Sequence, residues 1–277
     1  MLYRNYLLIL ALFGSITLTA QKASDSITWR SCSESTYNQY LPVAHAACEI
    51  VRHEGYTLGY SEAHEQAAWV CYVLSNTECA GGEERASSFY VDKAVTTGSA
   101  NDADYKSSGY DRGHLAPAGD MGFSESTMKE SFFYSNMSPQ VPRFNRGIWK
   151  KLEAQVRTWG SLYGSILVLT GPVLSDSLPT IGPNKVAIPE SYYKIIVNAA
   201  VKPPQAIGFI LKNEPSSKKL SSFVVTIDDI EALTGLDFLS AIPATDQRAL
   251  ENHVDGTYWK GFEKVRIAPP ANTSQRN

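Results

Sequence analysis

The stretch DRGHLAPAGD, residues 111–120, holds one of only five histidines in this chain of 277 residues. It places His114 between an arginine and a run of small, turn-forming residues. A lone histidine is usually structural, so its neighbours in the sequence decide how it is interpreted. His64 opens HEQAAW, but Ala68 stands where a zinc-protease HExxH motif needs its second ligand. No motif surrounds the other three histidines, His45, His53 and His253.

A helix is predicted about thirty residues after His114, in FNRGIWKKLEAQVRTWG (144–160). Its apolar residues recur at helical spacing, and Gly160 is placed to end it. At about 100° per residue, Asn145 projects onto the apolar face together with Trp149 and Val156. One interpretation is that Asn145 is the N-cap of the helix. The alternative is that its amide has a functional partner, because a buried amide without one is costly.

The two segments DRGH and SNMSPQVPRFNRGIWKKLE (135–153) resemble the signature of the sugar-non-specific DNA/RNA endonucleases of the ββα-metal, or His-Me finger, superfamily. The pattern N-x-S-P-Q-x-x-x-x-N-x-x-x-W-x-x-L-E is long and hard to meet by chance. The resemblance spans about residues 50–265 and does not include the cysteine-bearing N-terminal segment. It implies a metal-dependent endonuclease that hydrolyses the phosphodiester bonds of DNA and RNA and leaves 5′-phosphate ends.

The resemblance also implies catalytic roles. His114 matches the general base that activates water, for which its imidazole must be neutral. Asn145 matches the single protein ligand of a Mg²⁺ ion, which keeps most of its waters; Mn²⁺ or another divalent cation can substitute. Glu153 matches a residue that holds the metal through water, and Arg112 matches a catalytic arginine. An unperturbed imidazole is protonated below about pH 6.5, so activity is expected to fall there.

Contacts to substrate phosphate are expected from several further residues. Arg112 and Arg157 match arginines of the family that contact phosphate, and Arg85 is a further match. A guanidinium offers two donors to phosphate oxygens and keeps its charge. Asn136 is a candidate for contact near the metal, and Arg146 belongs to a basic cluster beside the site. The cluster consists of Arg143, Arg146, Lys150, Lys151 and Arg157.

Overall charge does not favour nucleic acid. Residues 1–20, which include Arg4, are left out of this count because they are predicted below to be a cleaved signal peptide. The rest of the chain has 24 basic and 28 acidic side chains and a formal charge of −4. DNA and RNA must therefore bind through the local basic cluster and the phosphate backbone. Phosphate contacts carry no sequence information, so weak sequence preference is expected.

The N-terminus predicts a secretory signal peptide over residues 1–20. A basic start at Arg4 precedes the apolar run 6–13, and small residues follow up to Ala20. An uncleaved anchor is the alternative. The mature protein is then expected to be secreted or periplasmic, without membrane attachment, and able to form a homo-oligomer.

The cysteines Cys32, Cys48, Cys71 and Cys79 all lie in the first third of the chain. An even number of cysteines in an exported protein favours disulfides, with three possible connectivities for four. Zinc is a weaker alternative, because the sequence has no CxxC pair. Cys71 lies in the apolar run AAWVCYVL and could equally be a buried thiol.

Short strand-like runs predict the α+β class, with a mainly antiparallel central sheet flanked by helices. They lie near residues 70, 134, 170, 195, 208 and 224. The resemblance adds a ββα-metal motif at the active site. The predicted organisation is a signal peptide (1–20), a single nuclease domain (21–266) with a cysteine-bearing segment at about 21–50, and a disordered tail (267–277).

The sequence is compatible with two other functions. A DNA-only endonuclease would share every residue of the motif, because both substrates present the same phosphodiester backbone. A catalytically inactive homologue that binds nucleic acid predicts the loss of His114 or Asn145, and both are present.

Overall fold

The computed structural model of the chain describes residues 40–44 and 48–267. Its centre is an antiparallel sheet of seven strands in the order β12-β11-β10-β7-β4-β3-β2, which confirms the predicted fold class. The strands are β1 (Val43–Ala44), β2 (Glu49–Arg52), β3 (Thr57–Ser61), β4 (Gln66–Ser75), β5 (Asp111–His114), β6 (Met137–Gln140), β7 (Ser165–Pro172), β8 (Thr180–Ile181), β9 (Val186–Ala187), β10 (Ser191–Asn198), β11 (Gln205–Lys212), β12 (Val224–Val225), β13 (Leu236–Asp237), β14 (Val254–Asp255) and β15 (Arg266–Ile267).

Helices connect these strands and cover the sheet. They are α1 (Asn76–Cys79), α2 (Asp102–Tyr105), α3 (Glu125–Ser131), α4 (Pro142–Phe144), α5 (Lys150–Tyr163), α6 (Ile227–Thr234) and α7 (Ala244–Glu251). A π-helical turn, Asn145–Trp149, joins α4 to α5. Within the described ranges, no helix is both long enough and apolar enough to cross a membrane.

The sheet separates two hydrophobic cores, because successive side chains of a strand point to opposite faces. On one face, α5 packs through Leu152 and Val156. On the other face, α6 and α7 pack through Ile230 and Leu250. Lys194 lies between Tyr192 and Ile196 on β10 and therefore points to the α5 face.

The helix predicted to end at Gly160 continues to Tyr163. Gly164 ends it with a φ of +84°, a conformation that glycine adopts without strain. Gly160 is a packing residue instead. A Cβ on it would lie 2.9 Å from Cys79 Sγ and 3.1 Å from the Leu74 side chain, so a glycine there lets α5 approach α1 and β4.

The strand predicted near residue 134 is mostly irregular structure. The segment passes from the end of α3 through a 3₁₀ turn, Tyr134–Asn136, and becomes a strand only at Met137. The run looks like a strand because its aromatic residues pack in the interior without forming one. The Phe132 ring, for example, lies edge-on to the His114 ring, with centroids 4.8 Å apart.

The predicted disulfides are not found for the cysteines whose bonding the structure describes. Cys48 and Cys79 carry free thiols. Cys79 ends α1 and contacts α5, where its thiol lies 3.5 Å from the carbonyl oxygen of Arg157, whereas Cys48 precedes the edge strand β2. Cys71 is buried in the core on the α6 face. Cys32, like the predicted signal peptide, lies outside the described residues.

The C-terminal boundary differs by one residue from the prediction. Ile267 pairs with Val254 in the β14–β15 ribbon, so it belongs to the folded region rather than to the tail. The tail from residue 268 onward lies outside the described residues. The extent of the domain on the N-terminal side stays a prediction.

Candidate active site

A β-hairpin and the helix that follows it bring the motif residues together. β5 and β6 pair antiparallel, with Asp111 opposite Gln140 and His114 opposite Met137. Val141 then leads into α4, the π-helical turn and α5. This strand–strand–helix unit places Asp111, at the start of β5, beside the start of the helix, as the ββα motif predicts.

His114 lies in an aromatic pocket at the end of β5. Its ring contacts Phe132 edge-on and Phe89 with centroids 6.0 Å apart. Nε2 is buried and has no hydrogen-bond partner among the described residues. Burial, followed by the positive charge of Arg85, lowers the pKa of His114 to about 3. This lowered pKa keeps the imidazole neutral at pH 7, so titration of His114 no longer supports the prediction that activity falls below about pH 6.5.

Asn145 follows α4 at the start of the π-helical turn, in right-handed helical conformation. Its Nδ2 donates a hydrogen bond of 3.0 Å to Asp111 Oδ2. Arg146 binds the same carboxylate through two bonds of 2.8 and 2.6 Å. Because the amide nitrogen is held by Asp111, the amide oxygen is left to accept or coordinate. An N-cap has an extended backbone, so this geometry does not fit the N-cap interpretation.

Glu153 lies one turn into α5 and lines the same cleft. Burial raises its pKa to about 7, and the nearby charge of Lys194 opposes that rise. Lys194 is fully buried beneath it and lies 4.9 Å from the centroid of the Trp149 ring. A carboxylate at the cleft and an ammonium beneath it therefore stabilise each other's charged forms.

The cleft has a volume of about 710 Å³ and opens over His114 and Asn145. Its basic walls come from five side chains: Arg85, Arg112, Arg146, Lys150 and Arg157. Lys150 and Arg146 are exposed, as are Arg143 and Lys151 of the predicted basic cluster.

The arginines are held by specific partners. Arg112 donates through Nε to the Tyr134 hydroxyl at 3.0 Å and also binds Asp102. Arg157 donates to the buried carboxylate of Asp120 at 2.6 Å. These contacts fix the direction of both guanidinium groups. Each has further donors that can serve an anion in the cleft.

Asn136 is not brought into the cleft. Its side chain is fully buried, and its amide oxygen accepts from the Ala116 backbone N–H at 2.9 Å. Its nitrogen donates to the carbonyl oxygens of Ala116 and Ser131. Asn136 thus holds the loop that follows His114 in place and does not face a substrate in this structure.

Gly113 is required by the packing of the hairpin. A Cβ on this residue would overlap the buried side chain of Gln140 on β6.

We expect Gly113→Ala to lower the free energy of unfolding by about 1–3 kcal/mol, the usual cost of overpacking, and to reduce cleavage by displacing His114. Urea denaturation measures the first effect. Gly82→Ala, where a Cβ meets no atom within 4 Å, should change neither; equal stability of both variants would contradict the packing argument.

Comparison with known proteins places this geometry in a family. The family described as DNA/RNA non-specific endonuclease matches residues 35–245. The chain belongs to this family. As a DNA/RNA non-specific endonuclease family member it is an enzyme, and the family as a whole uses a divalent metal.

Individual relatives agree with the family match. The chain is 32% identical over 231 residues to a mitochondrial nuclease of Saccharomyces cerevisiae, covering 75% of this chain and 70% of that protein. It is 32% identical over 211 residues to human mitochondrial endonuclease G, 71% of each chain. A crystal structure of an EndoG/EndoGI complex aligns with a TM-score of 0.69 at 29% identity, covering 76% of this chain and 92% of that one.

The predicted secreted or periplasmic localisation is wrong by this comparison, because these curated relatives are mitochondrial nucleases. The prediction rested on a start with Arg4 and no acidic residue before Asp25. Mitochondrial targeting sequences are also basic and poor in acidic residues, so this composition alone does not indicate export. The signal-peptide segment itself lies outside the described residues.

Two residues that support the side chains of the candidate site are missing from the sequence prediction. Asp120 ends the opening stretch and binds both Arg157 and the Tyr72 hydroxyl, the latter at 2.7 Å. Lys194 lies in the strand-like run SYYKIIV. A lysine on the same face as Tyr192 and Ile196 interrupts an apolar face, and this interruption is the sequence signal that marks it as a buried charge.

Proposed function

We propose that this endonuclease cleaves both DNA and RNA, with Mg²⁺ held by Asn145 and with His114 as the general base. One observation carries the proposal: the Asn145 amide, its nitrogen bound by Asp111, lines the same cleft as the neutral imidazole of His114. A base for water and an oxygen ligand for a hard cation are the two groups that metal-assisted phosphodiester hydrolysis needs.

The residues present fit a magnesium ion. Mg²⁺ prefers oxygen ligands and keeps several waters, so one amide oxygen with a nearby carboxylate forms a sufficient site. Asn145 would be the direct ligand, and Glu153 would bind its waters. When bound, the ion would neutralise charge on the phosphate and stabilise the leaving oxygen. Asp111 supports the site by orienting the ligand, in the way that hydrogen-bond partners tune metal sites generally.

His114 performs the proton transfer in this proposal. Burial in the aromatic pocket formed with Phe89 and Phe132 keeps the ring neutral. A neutral imidazole has one acceptor nitrogen, which takes the proton of the attacking water.

Arg85, Arg112 and Arg157 bind the phosphate on either side of the bond to be cut. The cleft presents guanidinium groups rather than a row of amides that could read base edges. Recognition through the backbone makes DNA and RNA comparable substrates and predicts weak sequence preference. The exposed Arg143 and Lys151 extend the basic surface beyond the cleft.

We expect Mg²⁺ binding to weaken as the pH falls through about 7. Burial raises the pKa of Glu153 to about 7, so below that pH a proton competes with the ion, and affinity drops by up to about tenfold per pH unit. Isothermal titration of Mg²⁺ at pH 8, 7 and 6 measures this. Glu153→Gln should bind more weakly at pH 8 and lose most of the pH dependence, whereas exposed Glu125→Gln should behave as wild type. A wild-type Mg²⁺ affinity that does not change between pH 8 and pH 6 would show that Glu153 takes no part in binding the ion.

The substrate range is tested with double-stranded DNA and RNA of the same sequence, incubated with purified protein and Mg²⁺. Cleavage of both, with 5′-phosphate ends, is the expected result. Cleavage of DNA alone would replace the proposal by the DNA-only alternative. Cleavage of neither would overturn it and favour the inactive homologue.

A further inference from the structure

Three acidic side chains meet on the face of the sheet opposite α5. Asp228 and Glu231 lie on α6, and Glu251 is the last residue of α7. One carboxylate oxygen from each lies within 4.8 Å of the others. Both helices pack on the core that faces away from α5 and the catalytic cleft, so this cluster is separate from the proposed catalytic metal.

Glu251 has an oxygen that lacks a partner. The residue is only 7% exposed, and its Oε1 is buried without a hydrogen bond from any described residue. A buried carboxylate in this state is costly unless a counter-charge or a hydrogen-bond donor satisfies it. It also lies at the C-terminal end of a helix, where the helix dipole disfavours an anion and favours a cation.

The neighbours of Glu251 add negative charge. Burial, followed by the charge of Glu231, raises the pKa of Glu251 to about 8, and Asp228 and Asp237 act in the same direction. Burial raises the pKa of Glu231 to about 7, although its carboxylate accepts a hydrogen bond of 2.7 Å from the Phe238 N–H. Among the described residues, the charges that shift the pKa values of these three carboxyl groups are all negative, so no charge there offsets their mutual repulsion.

We propose that Asp228, Glu231 and Glu251 form a second cation site that binds Ca²⁺. Calcium accepts six to eight oxygen ligands in flexible geometry, including carboxylates and waters, whereas magnesium requires a near-ideal octahedron. Two of the carboxylates are partly or largely buried, and Asp228 is exposed, so the ion can enter and keep waters on that side. Bound there, it would tie α6 to the end of α7 and stabilise the fold, with no part in the cleavage step.

The test is isothermal titration of Ca²⁺ into full-length protein carrying Asn145→Ala, which removes the proposed direct ligand at the catalytic metal site. One calcium is expected to bind, and adding Glu251→Gln should weaken its binding at least about tenfold. Asp228→Asn should also weaken it, and since this residue is exposed the variant does not challenge folding. Thermal unfolding gives a second measurement: Ca²⁺ should raise the midpoint by several degrees in the parent but not in the Glu251→Gln protein.

Without calcium, Glu251→Gln should unfold at the same temperature as its parent or higher, because the amide replaces a buried carboxyl group whose ionised form is disfavoured by burial and by its acidic neighbours. In the background with intact Asn145, Glu251→Gln should leave Mg²⁺-dependent cleavage unchanged. Calcium binding of equal affinity with and without Glu251→Gln, or no calcium binding by the parent, would overturn the proposal. Because the calcium titrations and the unfolding measurements use no nucleic acid, their failure would not affect the proposed nuclease function.

Discussion

His114→Ala is expected to lower kcat by about 10²–10⁴-fold, the contribution of a positioned general base. The substitution removes the imidazole from its pocket against Phe132 and leaves Asn145 and its Asp111 partner in place. Mg²⁺ binding and nucleic-acid binding should therefore stay close to wild type, and the loss should fall on kcat rather than on KM. Steady-state cleavage of plasmid DNA at saturating Mg²⁺ measures this.

Two controls separate a chemical role for His114 from a structural one. His253→Ala changes an exposed histidine and should leave cleavage unchanged. Added imidazole should restore part of the activity of His114→Ala, because the vacated pocket can accept the free base. A His114→Ala protein that cleaves within a few-fold of wild type would show that another group takes the proton.

Asn145→Ala is expected to weaken Mg²⁺ binding by more than about 100-fold, because changes to residues around metal ligands already cost about 10–100-fold. Cleavage at physiological Mg²⁺ should be lost with it. Isothermal titration measures the affinity. Cleavage by Asn145→Ala should recover in part at very high Mg²⁺ concentration, since the base and the arginines are intact.

The control for this variant is Asn76→Ala, an exposed asparagine at the start of α1. It should bind Mg²⁺ as wild type does. Unchanged Mg²⁺ affinity in Asn145→Ala would show that the amide does not bind the metal. Asn145 would then have a purely structural role, as a partner of Asp111.

The motif residues could be predicted because the sequence resembles the endonuclease family, whose signature holds them at a fixed spacing. His114 and Asn145 lie about thirty residues apart, and a hairpin with a following helix is enough to bring them into one cleft. The apolar periodicity also predicted α5. Its end was misplaced, because Gly160 serves packing against Cys79 rather than termination, and a one-dimensional pattern does not distinguish these two uses of glycine.

Long-range pairing could not be predicted from the sequence. The sequence marks Asn136 as polar and close to the site, yet its amide is used by the Ala116 backbone. The pKa of His114 depends on aromatic rings contributed by residues 89 and 132, which come together only in the fold. The support of Glu153 by Lys194 likewise requires β10 to lie beneath α5, an arrangement set by sheet order.

The most direct test of the central claim is cleavage of supercoiled plasmid by purified wild-type protein in Mg²⁺ and in EDTA, beside His114→Ala in Mg²⁺. The predicted result is degradation only by wild-type protein with Mg²⁺. Equal degradation by wild-type protein in EDTA would contradict the proposal that cleavage needs a metal held by Asn145. Equal degradation by His114→Ala would contradict the proposal that His114 is the general base.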